Sequence, residues 1–548
     1  MRREIDLLVK NKLFSTATLI TLLVSYGSML INPTIGVDDT AWKVYFIDGV
    51  SPIMGRWVLY VINKVIPIAV YNPYVVELLS MTAMMLAAIL WTACIRRILA
   101  NSIPIWGYTV FACVFISSPI TSEVITYYLS NGLALGFSFT AIALWYWLDA
   151  IEQTHLKSFK TLMVSILFLC LALGCFESML VVYLVSACFF FILKRGEGKG
   201  AFIGFGKYFR ITILVPVLVM VMRAICIQSV IKLFSLEDQV GVMGYRGLNQ
   251  FFPWLAEKNP VAEILYIIKE FIVNYYFHAI VYKPILIFVI AMFIIGCYAM
   301  YKAIMKRDFL ILLAYIAMLL LPFVMAAVEG YATYYRAAQF VVIINAFFVL
   351  CIILLLGKKV EVTSYKRVLI FLAMLLLYHQ VHEMNVWLKL DQDKYADVER
   401  TMSMLAVDVI KEVDESLPIC VIGDYEVPEA LTESCYVAEW SKKTWLITTA
   451  ITCLDESMLD SYMTDRGYCF AQTPLLSVID WGMTAFYGFD RELVKIWATL
   501  GYDFVEDGDL EHYSYGQTMI EGGMPVWPEE GSIIEIDGEY ILVHIGSR

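Results

Sequence analysis

The stretch KLFSTATLITLLVSYGSMLI, residues 12–31, decides the fold, because after Lys12 it carries no charge over a length that spans a bilayer. A helix needs roughly 20 predominantly apolar residues to cross the hydrocarbon core. No small-residue cleavage site follows, so the segment is expected to remain attached as a helix rather than be removed as a signal peptide. Ten further apolar runs of comparable character follow, at about 74–95, 103–118, 127–148, 161–176, 178–193, 211–229, 284–301, 309–328, 335–356 and 367–386. The chain has 548 residues, is 60% hydrophobic and only 17% charged, and this excludes a water-soluble globule of its size. The fold class is a polytopic α-helical membrane protein with about eleven transmembrane helices and a C-terminal extracytoplasmic α/β domain.

Charge divides the chain in two. Residues 391–548 hold 31 Asp plus Glu against 9 Lys plus Arg, about −22, whereas residues 1–390 carry about +11. The expected domains are therefore a membrane domain over 1–390 and an acidic domain over 391–548. Half of all Lys and Arg, 20 of 40, fall in MRREIDLLVKNK, CIRRI, HLKSFK, KRGEGKG with KYFR, YKAIMKRD and GKKVEVTSYKR, which occupy every second connection. Short cytoplasmic loops carry the Lys and Arg excess, so the N-terminus is cytoplasmic and the acidic domain lies outside. Two places test this alternation. VAEILYIIKEFIVNYYFHAIVYK, with Glu263, Lys269, Glu270 and His278, is read as an interfacial amphipathic helix rather than a further span. The runs on either side of Gly174 to Met179 are read as two helices rather than one broken helix.

The first outer loop, NPTIGVDDTAWKVYFIDGVSPIMGRW at residues 32–57, places Asp38, Asp39 and Arg56 where a helix leaves the membrane. The acids also suit helix caps. A chemical role is favoured by other ionisable groups assigned to the same side: Glu123, Glu177, Arg223, Arg246 and Arg336. Such groups at membrane depth are expensive and tend to mark a site. A carboxylate can act as a general base, and arginines hold phosphate in bidentate fashion. Arg223, within an apolar run, is assigned instead to a structural pair with an acid inside the bundle.

Beyond Leu390 the sequence reads as α/β: YADVERTMSMLAVDVIKEV is helix-like, PICVIGDY strand-like, and GSIIEIDGEYILVHIG a hairpin around Asp537-Gly538. Four of the 12 cysteines, Cys420, Cys435, Cys453 and Cys469, fall in this outer part, where disulfides form. His379 and His382 are three apart, a weak ligand spacing. No GxxxxGK[ST] or GxGxxG loop occurs, so nothing supports nucleotide-driven chemistry. No cofactor is assigned. Between paired acids a divalent cation is conceivable, but neighbouring Asp38 and Asp39 point in different directions from most backbones, and no metal ligands are assigned.

GVDDTAWKVYFIDGVSPIMGRW directly after the first span, the many-helix topology, GCFES, and WLKLDQDKYADVE after the last span together resemble the bacterial Gtr-type glucosyltransferases, O-antigen serotype-converting enzymes of the GtrII type within the GT-C integral-membrane glycosyltransferases. Phe176-Glu177 stands where that family's aromatic-Gln pair is expected. The resemblance implies a GT-C-like membrane domain that transfers a sugar, typically glucose, on the outer face of the bacterial cytoplasmic membrane. The implied donor is a polyprenyl-phosphate sugar (undecaprenyl phosphate), the acceptor a lipid-linked or surface glycan, and the lipid bilayer the third partner, with no nucleic acid. It implies Asp38 or Asp39 as catalytic base. Arg336, with Arg56 and Arg246, would face the phosphate, and Glu123 and Glu177 complete the expected substrate-binding set.

Two other function classes fit the same composition. A transporter or flippase for a lipid-linked glycan would show midplane charges and internal repeats, and no inverted repeat is visible. A non-catalytic glycan-binding or assembly protein would use aromatics of the acidic domain, such as Trp440, Trp445, Trp481 and Trp527.

Overall fold

The computed structural model describes residues 1–31, 50–65, 73–100, 102–121, 130–153, 155–196, 205–236, 285–321, 339–356, 363–413, 416–423, 497–498, 500–505, 507 and 509–546. The expected interfacial helix around Glu263 to His278 lies outside these residues. Each of the eleven apolar runs is helical over part or all of its length. Among the described residues six helices are long and apolar enough to cross a membrane, and four shorter apolar helices accompany them.

The first helices are α1 (Arg2–Val9) and α2 (Lys12–Tyr26). Asn11 separates them and caps α2, its side chain accepting from the backbone N–H of Phe14 at 3.2 Å. Two short helices, α3 (Val50–Ile53) and α4 (Trp57–Val65), precede α5 (Pro73–Leu99), α6 (Ile105–Ile116), α7 (Ser130–Glu152), α8 (His155–Cys175), α9 (Met179–Gly196) and α10 (Phe205–Leu233). The register of α5 on α7 is set by side chains reaching backbone carbonyls: Trp91 to Phe137 at 3.1 Å, Cys94 to Ala141 at 3.3 Å and Arg97 to Trp145 at 2.9 Å. Partner numbers rise together, so the two helices run parallel.

Small residues let α7 and α8 approach. A Cβ on Gly132 would lie 2.6 Å from a Leu59 methyl and 3.1 Å from the Cys175 carbonyl, and one on Gly136 would lie 2.9 Å from Met179 Cγ. Gly132→Val is expected to destabilise the solubilised protein by about 1–3 kcal/mol, read as a lowered unfolding midpoint in detergent. An unchanged midpoint would show that α4 moves aside freely.

The remaining helices are α11 (Ile285–Met305), α12 (Phe309–Leu320), α13 (Phe340–Leu355) and α14 (Thr363–Glu412). A continuous aromatic core joins them to the first set, with Phe189 of α9 stacked on Phe347 of α13 at 3.9 Å between ring centroids. One end of the bundle carries a ring of ion pairs: Glu4–Arg96 at 2.8 Å, Arg97 with Asp149 and Glu152 at 2.7 Å each, Lys194–Glu152, and Arg195–Asp308 at 2.6 Å. These residues come from the connections that the sequence marks as basic, and folding brings them to one level.

The same pairs show that α8 and α9 are two helices. His155 begins α8 three residues after Glu152, and Lys194 near the end of α9 returns to Glu152. The chain therefore reverses at Phe176–Ser178, about 30 Å away along the 21-residue α8.

Helix α14 is 50 residues long, about 75 Å at 1.5 Å per residue, more than twice the hydrocarbon thickness. It contains neither Gly nor Pro, so nothing breaks it where apolar Tyr365–Val386 gives way to the polar stretch after it, and it runs unbroken through residue 390. Its last turns, with Met402, Leu405, Ala406 and Val409 all fully buried, pack on Trp497, Phe504 and a small sheet. That sheet has order β1-β3-β2, where β1 is Ile419–Ile422, β2 Ile533–Ile536 and β3 Tyr540–His544. Strands β1 and β3 are parallel, and β2 and β3 form an antiparallel hairpin. Three residues, 537–539, join β2 to β3, and Asp537 and Gly538 both take positive φ, 52° and 72°.

Cys420 on β1 is buried and free, and burial pushes its thiol up to about 12. The other three cysteines of this part lie outside the described residues. Helix α15 (Leu510–Glu521) begins with Asp509 as its cap and carries His512, whose ring is 2.7 Å from the Asp507 carboxylate and stacks on Tyr540. The hydrogen bond to Asp507 raises the His512 pKa above its ordinary value. A raised folded-state pKa means that this contact stabilises fully below the unfolded value near 6.5 and fades as pH climbs through the folded one. His512→Gln is accordingly expected to lower the unfolding midpoint more at pH 5.5 than at pH 8.5. Equal losses at both pH values would assign the effect to stacking alone.

Candidate functional site

At the end of the bundle opposite the ion-pair ring, three charged side chains from distant parts of the sequence meet. The first is Arg56. Helix α3 ends in a turn in which the N–H groups of Gly55 and Arg56 donate to the carbonyls of Pro52 and Ser51, at 3.0 and 2.9 Å. Gly55 has φ +97°, a conformation that glycine alone adopts easily, so the turn sets Arg56 at the corner between α3 and α4. Arg56 is 8% exposed, and its guanidinium lies over the Phe176 ring at 5.5 Å.

The second group is Glu177, in the reversal between α8 and α9. Its carboxylate is 3.7 Å from Arg56 Nε and 3.8 Å from Nη2 of Arg223, the third group. Arg223 lies 18 residues into α10, about 27 Å along it. The start of α10 is tied to the ion-pair ring through Lys207, which donates to the Ile151 carbonyl at 2.9 Å. Helix length therefore delivers Arg223 to the level of Glu177. Its guanidinium rests where a side chain on residue 55 would be: a Cβ on Gly55 would fall 1.7 Å from Arg223 Nη2. Gly174 plays a similar part below α4, since a Cβ there would meet Val58 at 2.5 Å and the Trp57 indole nitrogen at 2.6 Å. The GCFES stretch thus supplies a seat for α4 in Gly174, a ring for Arg56 in Phe176, and a counter-charge in Glu177.

Among the described residues, Arg56 and Arg223 both lie within 4 Å of the Glu177 carboxylate. Both ion pairs are wider than hydrogen bonds, and the site retains unused polar capacity. Ser51 Oγ, Trp57 Nε1, Glu177 Oε1, Ser178 Oγ and Arg223 Nε are all buried without a hydrogen-bond partner. Leaving such a group unsatisfied costs about 1–3 kcal/mol.

Of the residues singled out from the sequence, Arg56 and Glu177 are brought together here. Arg223, expected to pair with an acid inside the bundle, pairs with Glu177. Asp38, Asp39, Glu123, Arg246 and Arg336 lie outside the described residues. Sequence reasoning passed over Glu77, 5% exposed on the second turn of α5 with Oε2 lacking a partner, although an acid inside an apolar run was the visible signal. It also passed over the buried polar set in which Ser117 Oγ donates to Gln380 Oε1 at 3.0 Å beside fully buried Glu383. Among the described residues no group of three or more His, Cys, Asp and Glu is placed to hold a metal ion.

The family model described as glucosyl transferase GtrII matches residues 27–338, more than half of the chain. Arg56, Glu177 and Arg223 all fall within the matched segment. No curated protein and no solved structure matches the chain.

Proposed function

Because the chain belongs to the glucosyl transferase GtrII family, we propose that it moves glucose from a polyprenyl-phosphate donor to a surface or lipid-linked glycan on the outer face of the bacterial cytoplasmic membrane. The supporting observation is the corner where Arg56 and Arg223 flank Glu177, at the opposite end of the bundle from the ring of basic connections. Positive-inside bias supports a cytoplasmic ring and an external corner. The α/β part at the end of α14 is then external too.

Displacing a polyprenyl phosphate from an anomeric carbon requires removal of the acceptor hydroxyl proton and stabilisation of charge on the departing phosphate. The acidic pair Asp38 and Asp39, seventeen residues or so upstream of Arg56 in one loop, supplies the base. Arg56 serves the phosphate together with Arg246 and Arg336, since a guanidinium stays charged and matches phosphate geometry. Bond formation at the anomeric carbon breaks the carbon–oxygen bond to phosphate, so the activated donor itself provides the driving force. Glu123 completes the polar set on that side. Family membership favours this over a transporter or flippase.

The test is transfer of labelled glucose from undecaprenyl-phosphate glucose to envelope glycan in membranes containing the chain. Donor-dependent labelling is expected. No labelling from that donor, with nucleotide-sugar donors active instead, would overturn the donor assignment.

A further inference from the structure

The end of the bundle that carries the ion-pair ring also presents an outward surface. Helices α8 and α10 both start from the last turn of α7: Ser158 Oγ donates to the Ala150 carbonyl at 2.7 Å, and Lys207 Nζ to the Ile151 carbonyl at 2.9 Å. The two helices then pack against each other. These anchors bring Lys157-Ser158-Phe159-Lys160 and Lys207-Tyr208-Phe209-Arg210 to one level. Their inward residues serve the fold, since Ser158 and Lys207 hold α7 and buried Tyr208 meets the Trp147 ring edge-on at 5.4 Å. Their outward residues are bases and phenylalanines: Lys157, Lys160 and Arg210 are exposed, with Phe159 and Phe209 at 61% and 50%. Exposed apolar side chains continue from this level into the spans, with Leu167 on α8 and Ile213, Val217 and Val221 on α10. Among the described residues, the acids closest in sequence, Asp149 and Glu152, are already held by Arg97 and Lys194.

We infer that the starts of α8 and α10 form a binding site for an anionic phospholipid, with its phosphate among Lys157, Lys160 and Arg210 and its acyl chains against Phe159, Phe209 and the apolar faces below them. The pattern matches the polarity of such a lipid. Bases at one level attract a negative headgroup, their long stems pass over apolar surface to reach it, and the rings and aliphatic side chains beneath gain by burial against acyl chains. A zwitterionic headgroup carries a cation of its own that offsets the phosphate, so the site prefers a net negative lipid. It lies at the opposite end of the bundle from the Arg56 corner and does not rest on the glucosyltransferase reading.

The full-length protein in detergent is titrated with dioleoyl phosphatidylglycerol and with dioleoyl phosphatidylcholine, and bound lipid is counted by native mass spectrometry. The unaltered chain should bind the first lipid more tightly. Replacing Lys157, Lys160 and Arg210 together by Gln is expected to weaken phosphatidylglycerol binding about fivefold per charge, about a hundredfold in all, with phosphatidylcholine binding unchanged. The charge-retaining variant Lys157→Arg, Lys160→Arg, Arg210→Lys should keep the preference. So should Lys306→Gln with Arg307→Gln, which removes two exposed bases from another connection at the same end. Equal binding of the two lipids by the unaltered chain, or a preference that survives the triple Gln change, would overturn the site. Loss of preference in the charge-retaining variant would overturn its electrostatic basis, and an equal loss on changing Lys306 and Arg307 would replace a local site by a diffuse field. Displacement of phosphatidylglycerol by millimolar inorganic phosphate would overturn the lipid assignment in favour of a free anion.

Discussion

Changing Asp38 or Asp39 to Asn is expected to lower sugar transfer by about 10²- to 10⁴-fold in one of the two variants, with KM for the donor little altered. The reasoning is chemical. An acceptor hydroxyl is a poor nucleophile until its proton is taken, and between α2 and α3 only these two acids are adjacent in the sequence. An Asn keeps the shape and the hydrogen-bonding oxygen of Asp but cannot accept the proton, so a loss confined to kcat reports on the base. The assay compares single-turnover transfer at matched protein levels in membranes. Full rates in both variants would return the pair to the role of helix caps.

The second large effect concerns Glu177. Replacing it by Gln removes the carboxylate that Arg56 and Arg223 both face. Removing one partner of a buried pair costs about 3–5 kcal/mol, and the 26% exposure of the Glu177 side chain reduces this to about 2–3 kcal/mol. The double variant Glu177→Gln with Arg223→Met should recover part of the loss, because it removes the uncompensated cation along with the anion. Transfer should fall in both, since Glu177 helps to hold Arg56 in place. Unfolding midpoints in detergent for the two singles and the double close the cycle. Strict additivity would show that the 3.8 Å approach contributes no coupling.

The ring of ion pairs at the other end answers to the same physics with a different outcome. Arg97 reaches Asp149 and Glu152 at 2.7 Å each, hydrogen-bonding distances, and also donates to a backbone carbonyl. Polar capacity there is used up within the protein. At the Arg56 corner the charges sit a full ångström further apart and neighbouring polar groups go unused. The two ends of the bundle thus differ in how closely their charges are paired.

Much of the fold was legible from residues alone. The uncharged length of Leu13–Ile31, the alternation of basic connections, and the Asp537-Gly538 pair between two strand-like runs each dictate local structure through bilayer thickness, charge cost and turn geometry. Even the unbroken α14 was implicit in the absence of Gly and Pro between Thr363 and Glu412. What the linear order could not express is which distant groups share a level. Arg56, Glu177 and Arg223 are separated by 121 and 46 residues, and only the lengths of α8 and α10, the reversal at Phe176–Ser178 and the two glycines that admit Trp57 and Arg223 bring them within 4 Å. A charge in an apolar run announces its cost in the sequence. The partner that offsets it is chosen by helix length and close packing, which exist only in three dimensions.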